Sequence, residues 1–179
     1  MSPGAPTSSA AGGLESEDVV IRAAGEEDWP RIHPFFSAIV AAGRTYAFPE
    51  DLSLEDARAW WMEPPPGLTV VAVDGNTVLG SAKMGPNRPG RGSHVATASF
   101  MVAPDHHGRG VGRALATHVV DWARAAGYRS IQFNAVVETN RAAVHLWQAL
   151  GFEILATVPE AFDDPEHGLV GLHVMFKRL

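Results

Sequence analysis

The chain contains no cysteine, which removes disulfides, thiolate metal ligands and a thiol nucleophile from consideration at once. Nor does it carry an excess of positive charge. The formal net charge is -6, so nucleic acid and anionic membrane surfaces are repelled at long range. No stretch reaches the ~18 consecutive apolar residues of a membrane-spanning helix, and the N-terminus lacks the cationic start and apolar run of a secretory signal. These absences direct attention to small-molecule partners and a cytoplasmic setting, with no nucleic acid and no membrane involved.

What is present suffices for one domain. Of the 179 residues, 46% are hydrophobic, enough for a full core but too few residues for two independent ones. Residues 1–18 are small and polar, with Pro3, Pro6, Gly12 and Gly13. They bury too little apolar surface to offset their ordering entropy, so they are expected to form a flexible tail ahead of a domain at 19–179.

Along that domain the patterns alternate. A β-branched run at 19–22 precedes a helix expected from Asp28, as its cap, to about residue 42. Ser53 with Asp56 resembles a capping pair for a short second helix through Trp61. Apolar runs at 69–73 and 77–84, joined by Asp74-Gly75-Asn76, predict a hairpin. The run 95–102 is apolar on both faces and reads as a central strand. Val111, Leu115, Val119 and Trp122 recur at helical spacing, as do Ala143, Leu146, Trp147 and Leu150, with a strand at 131–137 between them. Strands at 152–158 and 169–176 are expected to flank an acidic loop at 159–168. The fold class is α/β (α+β), with helices flanking one mixed sheet.

The chemistry sits in a glycine-rich turn between the central strand and the helix after it, His107-Gly108-Arg109-Gly110-Val111-Gly112. Such a turn aims several backbone N–H groups into one concavity. The helix dipole and the side chains of Arg109 and Arg113 make that concavity attractive to an anion. A P-loop needs Gly-x-x-x-x-Gly-Lys-Ser/Thr, and no lysine lies near the turn. The dinucleotide fingerprint Gly-x-Gly-x-x-Gly also fails, because Arg113 or Leu115 falls where its last glycine belongs.

The run from Val102-Ala103-Pro104 into His107 through Leu115 resembles the signature of the GCN5-related N-acetyltransferases (GNAT), Gln/Arg-x-x-Gly-x-Gly/Ala. Asn140-Arg141-Ala142-Ala143-Val144-His145-Leu146-Trp147-Gln148-Ala149-Leu150-Gly151-Phe152 is similar to that family's second motif. The resemblance implies a central sheet with two splayed parallel strands and acetyl-CoA as co-substrate. It also implies direct transfer of the acetyl group to a primary or secondary amine. The N–H groups of Gly108, Arg109, Gly110, Val111, Gly112 and Arg113, with His107, would hold the pyrophosphate. Met101 and Val102 would hold pantetheine and polarise the acetyl carbonyl through a backbone N–H.

Two residues depart from the family pattern. His107 replaces the usual Gln or Arg, and a histidine can still donate to phosphate. Trp147 stands where many members carry a tyrosine acid, and indole cannot donate a proton at neutral pH. Asn140 is the nearest alternative donor to the departing thiolate, and a plain helix cap is the competing reading. Candidates around the acceptor are Asn134, which interrupts an apolar strand, Glu138 as a base, His173 on the last strand, and Tyr46 and Phe48 at the pocket mouth. No histidine pair has ligand spacing, so no metal is expected.

The run 133–140 is also similar to the azetidine-2-carboxylate acetyltransferases of fungi, which act on small imino acids. The acceptor is therefore expected to be a small-molecule amine, an amino or imino acid among the choices. A non-catalytic acyl-CoA sensor and a protein-lysine or N-terminal acetyltransferase are the alternatives. A homodimer through exposed strand edges is left open.

Overall fold

The computed structural model describes residues 19–179, so the tail expected at 1–18 lies outside the described residues. Seven strands form one sheet in the order β1-β2-β3-β4-β5-β7-β6. They are β1 (Val20–Ala23), β2 (Leu68–Asp74), β3 (Thr77–Pro86), β4 (Val95–Val102), β5 (Ser130–Val137), β6 (Glu153–Asp164) and β7 (Gly168–Arg178). Every neighbouring pair is antiparallel except β4 and β5. Four α-helices complete the domain: α1 (Trp29–Ala42), α2 (Leu54–Trp61), α3 (Val111–Ala125) and α4 (Arg141–Ala149).

The local rules that predict these elements are visible in the structure. Ser53 caps α2 by accepting from the Asp56 amide at 3.1 Å. The β2–β3 hairpin turns at Gly75, whose φ of 54° suits a residue without Cβ. Asp28 behaves differently from expectation. Its side chain makes no capping bond to α1 and instead accepts from both Arg22 guanidinium nitrogens, at 2.6 and 2.8 Å, and from the Gly25 amide at 2.8 Å. That pairing holds the Asp28 carboxyl below the usual carboxylate range, the Arg22 bond being the largest cause.

Two cores sandwich the sheet. On one face α3 and α4 pack Leu115, Val119 and Trp147 against Ala96, Ile131, Phe133 and Met175. On the other, α1 and α2 pack Ile32, Phe36 and Trp61 against Val71 and Met101. β4 therefore contributes to both cores, as its two-sided apolar pattern requires.

The acidic stretch 159–168 is a correction to the sequence reading. β6 continues through it to Asp164, with Phe162 opposite Val170 and Asp164 opposite Gly168. The carboxylates of Glu160 and Asp163 stay exposed on an edge strand, where charge is compatible with pairing on one side only. Asp164 is buried and closes the turn, accepting from the Glu166 and His167 amides at 2.9 and 3.0 Å and from the Thr139 hydroxyl at 3.1 Å. Those donors, the Glu166 amide first, hold its carboxyl far below the ordinary range.

Candidate active site

β4 and β5 run side by side for only two residue pairs, Val95 with Ser130 and Ala96 with Ile131. Beyond these pairs the strands diverge. A cavity of about 880 Å³ passes through the gap, lined from the α3–α4 face by Phe133, Asn140, Ala143, Leu146 and Trp147 and from the α1–α2 face by Tyr46, Phe48 and Trp60.

The divergence leaves one edge of the β4 backbone facing the gap. The Ala103 amide donates to the Leu79 carbonyl at 2.9 Å, and Met101 pairs with Ser81, so alternate residues turn their main chain toward β3. Phe100 and Val102 turn theirs the other way. The Phe100 amide donates to the Tyr46 hydroxyl at 2.9 Å, and that hydroxyl donates to the Phe100 carbonyl at 2.6 Å. Burial pushes the Tyr46 phenol well above its ordinary range, so it stays protonated. The His107 ring donates through Nε2 to the Val102 carbonyl at 3.0 Å.

At the end of β4 the chain turns through Gly108 and Gly110, with φ of 77° and 79°, into α3. A Cβ at Gly112 would make only ordinary contact inside the protein, at 3.7 Å from Val102. The amides of Val111, Gly112 and Arg113 lie in the first turn of α3, where a helix offers no intrahelical acceptor. Several N–H donors at the positive end of a helix dipole, opening on a cavity, suit a diphosphate.

Trp147 is buried, 7% exposed, with its ring centroid 4.7 Å from Phe100 and 4.8 Å from Phe133. It forms wall. The Asn140 side-chain oxygen accepts from the Ala143 amide at 3.2 Å and so caps α4, while the residue also lines the cavity. On the acceptor side Tyr46 stacks on Phe48 at 4.9 Å, and Thr45, Thr97, Ser99, Asn134 and Arg44 add polar atoms. No Asp or Glu lines the cavity among the described residues.

The family model described as Acetyltransferase (GNAT) family matches residues 32–152. A solved structure of a GCN5-related N-acetyltransferase from Kribbella flavida is 59% identical and covers 92% of this chain and 100% of its own, with a TM-score of 0.90. The chain belongs to the GNAT acetyltransferase family. Among curated GNAT relatives, the L-methionine sulfoximine/L-methionine sulfone acetyltransferase of Pseudomonas paraeruginosa is 33% identical over 149 residues, 78% of this chain and 83% of that protein. The L-amino acid N-acyltransferase of Escherichia coli is 35% identical over 92 residues, 51% of this chain and 53% of that protein. The chain thus spans about half the length of some of the curated relatives it matches.

Within the GNAT site, the sequence-derived residues separate into those the fold gathers and those it does not. Met101, Val102, His107, Gly108, Gly110, Val111, Gly112, Arg113, Asn140 and Trp147 all line the cavity, as do Tyr46, Phe48 and Asn134. Met101 takes a different role from the expected one, because its main chain is spent on β3 and the amide facing the gap belongs to Phe100. Arg109 is not part of the lining; its guanidinium bonds the His106 ring at 2.7 Å. Asn134 is held by its neighbours, donating to the Asn87 side-chain oxygen at 2.6 Å and accepting from Gln132 at 2.8 Å.

Two acceptor-side expectations are corrected. Glu138 lies outside the lining, with its carboxylate accepting from the Gly171 amide at 2.5 Å. His173 also lies outside it, bonded to the Thr157 hydroxyl at 2.7 Å, and strand alternation puts it on the face opposite Leu172, which does line the cavity. Sequence reasoning missed Phe100, Ser99, Thr97 and Arg44. Period-two alternation backward from Val102 was the available signal for Phe100; for Arg44 there was none.

Proposed function

We propose that the protein is an acetyl-CoA-dependent N-acetyltransferase whose acceptor is a small amine bearing its own carboxylate, an amino or imino acid, at work in the cytoplasm. The observation that carries this reading is the cavity through the β4–β5 gap, with helix N–H donors at one mouth and a compact polar and aromatic pocket at the other. The residues fit the co-substrate: the amides of residues 111–113 would take the diphosphate, the Val102 main chain would take the pantetheine arm, and the Phe100 amide would meet the thioester carbonyl. When bound, acetyl-CoA supplies an activated acetyl thioester.

The chain's own contribution is to orient and to exclude. A backbone N–H aimed at a carbonyl oxygen polarises it and stabilises the charge that develops there on attack. A lining without carboxylates favours an acceptor that carries negative charge, and Arg44, paired on its other side with Glu166 at 2.5 Å, is the guanidinium at that end. The same lining offers no carboxylate base, and its histidines, His106 and His107, lie by the glycine turn bonded to Arg109 and the Val102 carbonyl, so the amine loses its proton to solvent or arrives neutral. The names of the Escherichia coli and Pseudomonas relatives, an amino acid acyltransferase and a methionine sulfoximine acetyltransferase, agree with that acceptor class.

The test is thiol release from acetyl-CoA across a panel of amino acids, imino acids, decarboxylated amines and lysine peptides. Turnover with the first two classes and at least tenfold less with the decarboxylated analogues is expected. Preference for peptides would overturn the acceptor class. Retained acetyl-CoA binding with a silent panel would support the sensor reading that Trp147 makes available.

A further inference from the structure

The Tyr46 hydroxyl sits on both main-chain polar atoms of Phe100, at 2.9 Å from the amide and 2.6 Å from the carbonyl. β5 has diverged from β4 at this point, so a side chain from residues 43–52 does what a strand neighbour would have done. Its ring is packed for the task, stacked on Phe48 and edge-on to Trp61 at 6.2 Å. Of the Phe100 and Val102 amides, which both face the gap, that of Phe100 lies farther from the glycine turn and on the side walled by Tyr46, so a carrier whose diphosphate rests on the turn brings its thioester carbonyl to Phe100. One N–H cannot serve two acceptors at full strength, so the phenol and the thioester compete for it.

We infer that Tyr46 is the residue an acyl group displaces, its hydroxyl standing in for the thioester carbonyl on the Phe100 amide. This rests on the acetyl-CoA reading above. Free CoA has a thiol and no carbonyl at that position, so it has no need of the Phe100 amide and leaves Tyr46 in place. The acyl state of the carrier is then read on the acceptor side of the sheet, because Tyr46, Phe48 and Trp60 wall that side. Displacing the phenol reshapes the pocket the amine enters, coupling acyl loading to acceptor recognition.

The experiment is calorimetric titration of wild type and Tyr46→Phe with acetyl-CoA and, separately, with CoA, together with thermal unfolding of each protein alone and saturated. Phenylalanine keeps the ring packing and removes the competing hydroxyl. The expected result is about tenfold tighter acetyl-CoA binding in the variant with CoA affinity unchanged, the scale of one buried hydrogen bond. The variant alone melts lower than wild type, and saturating acetyl-CoA abolishes that difference, because the lost bond matters only before displacement. Unchanged or weaker acetyl-CoA binding, or an equal shift for CoA, overturns the inference. A wild type that binds neither ligand overturns the functional reading itself, a result distinct from either.

Discussion

The ring of Trp147 lies 4.7 Å, centroid to centroid, from that of Phe100, the residue whose main chain faces the gap between β4 and β5. The position on α4 where the family resemblance implies a phenol is here a packed indole, with Phe133 at 4.8 Å. Its contribution is shape and exclusion of water.

For Trp147 the consequence is measurable. Trp147→Ala is expected to cost about 3–5 kcal/mol of folding stability by urea denaturation, as other large-to-small core changes do. Trp147→Phe keeps most of the packing and is expected to hold kcat within about threefold, with an unshifted pH profile. A change in the profile would show that the indole N–H takes part in the chemistry.

At the glycine turn, Gly110→Asp and Gly112→Asp are expected to weaken acetyl-CoA binding at least ~100-fold by calorimetry, by placing a carboxylate against the diphosphate. The two variants differ in stability. Gly110 has a φ of 79°, so a side chain there also strains the backbone, whereas Gly112 has room for a Cβ. Only the Gly110 variant is expected to lose about 1 kcal/mol of folding stability.

Asn140 has two separable atoms. Its side-chain oxygen caps α4 through the Ala143 amide, and its NH₂ remains the candidate donor toward the departing thiolate. Asn140→Ala is expected to lose about 1 kcal/mol of stability together with turnover. Asn140→Asp keeps the cap and the melting temperature yet drops kcat at least ~10-fold. Equal kcat for Asn140→Asp and wild type would leave the residue as a cap alone.

Glu138→Gln is expected to change kcat/KM by less than ~2-fold, since the carboxylate is committed to the Gly171 amide outside the cavity. With no carboxylate base in the lining, kcat/KM is expected to rise with pH toward the acceptor's own amine pKa. A plateau set well below that value, and moved by Glu138→Gln, would restore Glu138 as the base.

Acid sensitivity should trace to the two depressed carboxyls, Asp164 and, testable through its pair with Arg22, Asp28. Its folded pKa lies below that of an unfolded aspartate, about 3.9, so its stabilising pair with Arg22 is fully present above that pH. The contribution is lost as pH falls through the folded value. Asp28→Asn is expected to cost about 1–3 kcal/mol at pH 7, discounted because Arg22 is partly exposed, and the gap to wild type should begin to narrow below pH 4. A gap that does not narrow at all as the pH falls below 4 would mean that the charge is irrelevant.

Much of the fold was legible along the chain because its signals are local. Ser53 and Asp56, the turn at Gly75, the two-sided strand 95–102 and the stripes of α3 and α4 each express a rule acting within a few residues. The glycine turn and the Asn140 motif were equally local, so the turn into α3, with its unpaired first-turn amides, could be read in advance. The reading failed where charge resembled a loop, at residues 159–164, because pairing to β7 is a long-range choice that leaves edge carboxylates wet.

Sequence alone therefore determined most of the segments that are helix or strand, the family likeness, and the glycine turn into α3, all set by spacing and backbone conformation. Tertiary structure decided what faces the gap. Whether Glu138 or His173 reaches the cavity depends on strand register and pleat, and both were turned away from it. That the Phe100 amide meets the hydroxyl of Tyr46, 54 positions earlier, depends on where β5 leaves β4, and no local pattern encodes that divergence.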